Sequence, residues 1–264
     1  MRVSIQGSPI FSREPVRVGC AGWNIPQQVA AHFGSTGTHL ERYSQEFNCC
    51  EINSSFYRPH KKETWRRWAC SVPAGFLFSV KAPKTITHEV RLNCGSKVLS
   101  AFFEQIDCLG EKLGPVLIQL PPSLEFDHDR ARKFLALLRR NFSGDVVWEP
   151  RHASWFEDQS DNLLKEFHIA RVAADPACVP ASTRPGGLGS LAYFRLHGSP
   201  RRYFSAYSGD FLNALAAQLT SSVAGARAWC IFDNTASGSA VQNAFELTAK
   251  LQTLNATHLR KVER

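Results

Sequence analysis

Ionisable and amide side chains stand at or just beyond the ends of short apolar runs throughout this chain. Their types are those that move protons and bind anions. Glu51 and Asn53 close one run and Lys81 the next; Gln119, Glu149 with Arg151, Asp175, Arg195 with His197, and Asp233 with Asn234 follow. Residues two apart on a strand share a face. That places Cys49, Glu51 and Asn53 together, and likewise Leu77, Ser79 and Lys81. The same holds for Val147, Glu149 and Arg151, for Ala173 and Asp175, for Tyr193, Arg195 and His197, and for Ile231 and Asp233. Carboxylates in a partly dry pocket and histidine suit proton transfer, so Glu51, Glu149 and His197 are the acid–base candidates. Asp233 joins them as the catalytic group that positions a reacting hydroxyl or carbonyl, with Asn234 and Asn53 beside it. Lys81, Arg151 and Arg195 supply fixed positive charge; arginine forks match phosphate or carboxylate, and lysine acts as a point charge. Gln119 and Asp175 complete the ring. Tyr57, His88, His152 and Trp155 follow their strands in loops and are expected to wall the pocket.

The elements that must carry these residues alternate regularly. The strands expected are Val16–Cys20, Cys49–Asn53, Phe76–Lys81, Val116–Gln119, Val146–Glu149, Ile169–Ala174, Leu191–Leu196 and Ala228–Phe232. Between them, helical spacing of apolar residues predicts helices over 38–47, 62–70 and 97–112, a run capped by Asp127, and then 160–167, 210–221 and 239–254. Strands alternating with helices mean parallel strands with crossover helices, and eight such units in 264 residues fit a single (β/α)8 barrel over residues 16–264, preceded by an N-terminal extension, 1–15. The first strand ends in Gly19-Cys20-Ala21-Gly22-Trp23, without the G-x-G-x-x-G spacing of a dinucleotide-binding sheet. Between Asp175 and Leu191 the chain is too rich in Pro and Gly for a full helix, so a loop is expected there, of the kind that serves as a lid or binding loop. In this fold the C-terminal ends of the strands carry the active site, and the polar ring falls there.

Composition narrows the classes. No apolar run approaches the roughly 20 residues that span a bilayer, and the polar start gives no signal core, so a cytoplasmic protein without membrane contact is expected. Eight cysteines without a Cys-x-x-Cys pair read as reduced, mostly buried thiols. A net charge of +8 favours anionic partners without choosing between metabolites and nucleic acid. Glu149, Asp175, His197 and Asp233 are of a type that binds divalent metals in other barrels. Arg151 and Arg195 share their faces and oppose a dication, so the reading is metal-free and no cofactor is expected. Trp65 and Trp68, with Arg66 and Arg67 between them, could stack nucleic-acid bases, but their helical spacing points to packing on the sheet.

At these residues the sequence resembles the YecE-like family of uncharacterised TIM-barrel proteins, over about Val16 to Leu254. The resemblance rests on Gly19-Cys20-Ala21-Gly22-Trp23, Glu51-Ile52-Asn53-Ser54-Ser55-Phe56-Tyr57-Arg58, and Phe78-Ser79-Val80-Lys81-Ala82-Pro83-Lys84 with Ile86-Thr87-His88. It continues through Leu113-Gly114-Pro115, Gln119-Leu120-Pro121-Pro122, Glu149-Pro150-Arg151-His152-Ala153-Ser154-Trp155, Arg195-Leu196-His197-Gly198 and Phe232-Asp233-Asn234-Thr235. Members often carry Thr-Ser where this chain has Cys20-Ala21. The family implies the barrel and the place of its pocket, and names no reaction. The expectation is an enzyme acting on an anionic, phosphorylated or carboxylated small molecule at the barrel mouth, whether as isomerase, lyase or hydrolase. The alternative is a nucleic-acid-binding or repair protein using a basic face, metal-dependent if the acids take a metal; a third reading is a regulatory barrel that binds without turnover.

Overall fold

The computed structural model describes residues 16–221 and 226–262; the expected extension 1–15 lies outside them. Ten strands alternate with eight α-helices in a mixed α/β fold with mostly parallel sheets. The strands are β1 (Arg17–Cys20), β2 (Cys49–Ile52), β3 (Leu77–Lys81), β4 (Leu113–Gln119), β5 (Val146–Glu149), β6 (Ala170–Arg171), β7 (Ala173–Asp175), β8 (Gly186–Gly187), β9 (Leu191–Leu196) and β10 (Arg227–Phe232). The helices are α1 (His39–Glu46), α2 (Ser54–Tyr57), α3 (Lys62–Cys70), α4 (Ser96–Ile106), α5 (His128–Asn141), α6 (Asp158–Glu166), α7 (Gly209–Ser221) and α8 (Ser239–Val262). Helix starts follow local chemistry. Thr38 and Glu41 form a reciprocal capping box on α1, and the Asp127 carboxylate accepts from the Arg130 N–H at the head of α5.

One sheet runs β1-β10-β9-β7 and the other β2-β3-β4-β5-β6-β8. The expected sixth strand is divided between them: Ala170–Arg171 pairs with β5, Ala173–Asp175 pairs with β9, and Val172 N donates to Trp148 O at 2.9 Å. At the other side, β1 and β2 approach through a parallel bridge between Ala21 and Glu51, and Gly22 N donates to Glu51 O at 2.9 Å. Gly19 makes that approach feasible, because a Cβ there would lie 2.1 Å from Cys49 O.

The strands bury both faces, and two apolar clusters result. The larger joins one strand face, including Ile52, Phe78, Val80, Ile118, Trp148, Phe194 and Phe232, to the helices. Trp65 belongs to it and Trp68 packs against it, which accounts for that pair as helix packing. The smaller cluster is built from the opposite face of both sheets: Cys49, Leu117, Val147, Ala170, Val172, Leu191, Tyr193, Trp229 and Ile231. Gly114 is obligatory beside it, since a Cβ would meet the Trp229 ring at 2.7 Å.

The Pro/Gly-rich segment after β7 holds only a four-residue 3-10 helix, Pro180–Thr183. It does not hang free as a lid. β8 pairs antiparallel with β6, and Arg171 donates to Ala181 O and Arg184 O while it pairs with Asp161 of α6 at 2.7 Å. All eight cysteines are free thiols, and burial pushes Cys20 up to about 12, far from a reactive thiolate. Among the described residues no helix is long and apolar enough to cross a membrane.

Candidate functional site

Two residues beyond the inner apolar cluster, five strands turn polar on the same face. Cys49 gives way to Glu51, Leu117 to Gln119, Val147 to Glu149, Tyr193 to Arg195 and Ile231 to Asp233. Register carries these residues to one level: Gln119 faces Glu149 across β4 and β5, and Glu51 faces Ser79 across β2 and β3.

Arg195 is the hub, with its side chain fully buried. Nε and Nη2 clasp Glu51 in a bidentate pair at 3.0 and 2.6 Å; Nη1 donates to Glu149 Oε2 at 2.6 Å and Nη2 to Asp233 Oδ2 at 3.1 Å. Gln119 Oε1 lies 3.5 Å from Nη1 and accepts the remaining N–H. Burial alone would discharge the guanidinium, but Glu149, Glu51 and Asp233 outweigh it and hold its pKa well above the usual value. Tyr193 OH donates to Glu51 Oε2 at 2.9 Å and lies 2.8 Å from Ser79 Oγ, so both Glu51 oxygens are hydrogen-bonded.

Next to the hub lies a second cation–anion set. Glu149 Oε1 lies 2.6 Å from Arg151 Nη2 in an ion pair and 2.9 Å from His197 Nε2, while His197 Nδ1 lies 2.9 Å from Asp233 Oδ2. Arg151 Nη2 also lies 2.7 Å from His197 Nε2. A guanidinium can only donate, so it bonds that nitrogen when it is bare; Glu149 bonds it when it carries a proton. With Nδ1–H held by Asp233, the imidazole has a partner ready in either protonation state. Burial raises the Glu149 carboxyl, yet Arg151, Arg195 and His197 together hold it well below the carboxylate range. Asp233 is lowered in the same way, burial being overcome by Arg195 and His197.

Solvent reaches this cluster narrowly. Lys81 and Asp233 are each 9% exposed, whereas Glu51, Glu149, Arg195 and His197 are 0% exposed. Lys81 Nζ stands 4.1 Å from the Phe56 ring centroid, and His88 packs edge-on against the same ring at 5.0 Å. The larger surface grooves, about 530 and 630 Å³, lie at the opposite ends of the strands, beside Val16 and Phe76 and beside Gly187 and Leu191. A third groove, about 430 Å³, is lined by Ser55 and Phe56 close to Lys81, and the charged cluster is the candidate site.

A family described as protein of unknown function DUF72 matches residues 17–263. The chain belongs to the DUF72 family. It is 30% identical over 173 residues to UPF0759 protein YecE of Escherichia coli K12, covering 63% of this chain and 61% of that one. It is 26% identical over 176 residues to UPF0759 protein YunF of Bacillus subtilis 168, covering 61% of each. The chain thus spans about three fifths of the length of these curated relatives. Crystal structures of DUF72 family proteins from Enterococcus faecalis V583 and Thermotoga maritima MSB8 share the fold. Their TM-scores are 0.77 and 0.75 at 21% and 23% identity, each covering 90% of this chain and 96% and 99% of theirs.

In this DUF72 chain the ring expected from strand parity converges for Glu51, Gln119, Glu149, Arg151, Arg195, His197 and Asp233, which are joined by direct contacts. Asp175 does not join them. Ala170 and Val172 face the inner cluster, so Ala174 comes level with Arg195, and Asp175 turns away to accept from Tyr207 OH at 2.8 Å. Arg171 fixes that parity by reaching Asp161 on α6. Glu51, expected as a proton carrier, and Arg195, expected as an anion clamp, are bonded to one another and to neighbouring polar groups.

Several pocket-wall expectations are corrected. Trp155 is buried in the helix-side core, with Nε1 donating to Leu124 O at 2.9 Å and its ring against Trp148. His152 caps its own loop through Ser154 at 2.8 Å. Asn234 clamps the loop after β9, donating to Ser205 O and Asn243 Oδ1 at 2.9 and 3.0 Å. Tyr57 is 71% exposed beside Phe56, and Asn53 lines a separate shallow groove with Gly22 and Trp23, its Oδ1 buried without a partner. His88 stays near Lys81, whose charge together with burial lowers its pKa. Tyr193 and Ser79 were missed as polar partners, although parity had already set them on the faces of Arg195 and Lys81. Phe56 carried no such signal.

The acids do not form a ready metal centre. Glu51, Glu149 and Asp233 are each bonded to Arg195, which occupies the position of positive charge among them.

Proposed function

We propose that the two sheets close into an eight-stranded (β/α)8 barrel, with β6 and β7 as one strand and β8 as an addition. Its C-terminal mouth would bind a phosphorylated or carboxylated small molecule and act on it by acid–base chemistry. The contacts at both sheet edges, through Ala21–Glu51 and through Val172, support the closure. One observation carries the functional reading. At the rim two cationic groups keep donors that no acceptor among the described residues uses: Lys81 Nζ and the buried Arg151 Nε. Every other cation of the cluster is saturated, and a buried donor without a partner costs about 1–3 kcal/mol unless a ligand or water supplies one.

An anion seated on Lys81 and Arg151 would lie beside the His197–Asp233 pair. His197 passes a proton through Nε2, because Arg151 and Glu149 stand ready for the bare and protonated forms in turn. Asp233 fixes the ring and its tautomer through Nδ1, as a carboxylate does for a catalytic histidine. The Glu51–Arg195–Glu149 frame holds both groups in place and makes no contact with substrate.

The test is calorimetric titration of sugar phosphates and small carboxylates against the wild type, Arg151→Ala and Lys81→Met. We expect one ligand class to bind and each variant to weaken it at least tenfold, about 1.4 kcal/mol, with a cooperative unfolding transition retained. Unchanged affinity in both variants contradicts the reading. Steeply salt-dependent binding to random DNA or RNA, with no metabolite bound, would move the assignment to the nucleic-acid alternative that the +8 charge allows.

A further inference from the structure

We infer that Lys81 is a covalent site, whose Nζ condenses with the carbonyl carbon of a small anionic aldehyde or 2-oxo acid held through its carboxylate by Arg151. The inference rests on the proposed anion site for the second contact, and adds a bond-forming role that simple charge pairing does not require.

The geometry separates Lys81 from the other cations. Arg151 and Arg195 each lie 2.6 Å from a carboxylate oxygen. Lys81, in the same cluster, forms no hydrogen bond or ion pair through Nζ with the described residues. The neighbouring acids are already committed, Glu51 to Arg195 and Tyr193, Glu149 to Arg195, Arg151 and His197, Asp233 to Arg195 and His197. Ser55 Oγ donates to the Lys81 carbonyl at 2.7 Å and pins the backbone from which the side chain rises. The Phe56 face covers one side of the amine and keeps water from it. A lysine needed only for neutralisation would sit on a carboxylate; this one sits on an aromatic ring. Burial, and then the charge of Arg195, bring its pKa from 10.5 down to about 8 against the pull of Glu149, Glu51 and Asp233. Desolvation and an adjacent cation are the two means by which a lysine amine is made nucleophilic near neutrality.

The step balances without an oxidant or reductant. The neutral Nζ lone pair forms a C–N bond as the C=O π pair moves to oxygen, which takes a proton. The amine loses its proton, giving a carbinolamine. The hydroxyl then leaves as water after a second protonation, and loss of the C–O bond is matched by formation of C=N. His197, held by Asp233, supplies and recovers these protons. The product is an imine, whose electron-withdrawing nitrogen makes the carbon next to it acidic.

The experiment treats the full-length protein with glyoxylate and cyanoborohydride at neutral pH, then maps adducts by peptide mass spectrometry. Reduction fixes the imine as a carboxymethyl group on nitrogen. We expect Lys81 to be modified at least about tenfold faster than the exposed Lys62 and Lys133. Against an ordinary lysine at 10.5, an amine at about 8 offers roughly three-hundredfold more free base, and burial takes part of that back. Inorganic phosphate and Arg151→Ala should both slow the modification, and Lys81→Arg, checked for a native circular dichroism spectrum, should remove it. Even labelling of the exposed lysines with none at Lys81 overturns the inference; if phosphate still binds the wild type and not Arg151→Ala, the anion site stands without it. Rapid labelling of Lys81 that neither phosphate nor Arg151→Ala alters overturns the assignment of the carboxylate to Arg151.

Discussion

Arg195 has no exposed surface and gives its N–H groups to three carboxylates and an amide, so its worth lies in what its loss would leave behind. Removing one partner of a buried pair costs about 3–5 kcal/mol, because uncompensated charge stays in a dry site. Arg195→Met should therefore be destabilised by about that much in denaturant unfolding at neutral pH. The pH dependence separates this from simple loss of packing. In the wild type Glu149 and Asp233 have lowered pKa values, so their contribution is present above the unfolded carboxylate range, near 4, and is lost as pH falls through the folded values. In Arg195→Met one of the cations that lowers both acids is gone, so less stability should be lost as they protonate. A shallower acid-side loss below about pH 5 is expected in Arg195→Met than in the wild type; parallel slopes would mean that Arg195 does not hold these acids. Much of this was readable in advance: alternation placed Glu51, Glu149, Arg195 and Asp233 on inward faces. Alternation cannot say which of several inward charges will saturate the others, and that depends on distances across the ring.

At the scale of elements, the sixth strand shows where sequence parity fails. Ile169–Ala174 carries alanine on both faces, so its pattern gives no side preference, and Asp175 was drawn to the ring by its charge. Arg171 held the deciding information, but only through Asp161 on the preceding helix, a partner ten residues away. The Pro/Gly segment was correctly read as lacking a full helix. Its return as β8 against β6 could not be read from Gly186-Gly187, since two glycines carry no facing pattern. The close approach of β1 and β2 is a firmer sequence-to-structure link. Gly19→Ala would press a methyl against the Cys49 carbonyl, and backbone cannot yield as a flexible side chain does. A loss of about 1–3 kcal/mol is expected, with faster hydrogen exchange at the Gly22 amide that bonds Glu51. Unaltered exchange there would mean that this edge contact does not join the sheets.

Over the whole molecule, short polar ends on successive parallel strands converge because the register brings their C-terminal tips to one level. The family resemblance and the strand pattern thus agreed on where chemistry would gather, while side-chain roles awaited the geometry. Net positive charge says less: much of it is spent locally, as in Arg132 with Glu166 at 2.6 Å and Arg139 on four backbone carbonyl contacts. What distinguishes the charged cluster is the pair of cationic donors left open, among the described residues, beside a saturated frame. A crystal structure of the protein with inorganic phosphate tests this most directly. The account predicts a phosphate whose oxygens accept from Arg151 Nε and Lys81 Nζ, next to His197. It is contradicted if those two donors bond to protein atoms instead and phosphate binds only elsewhere on the surface.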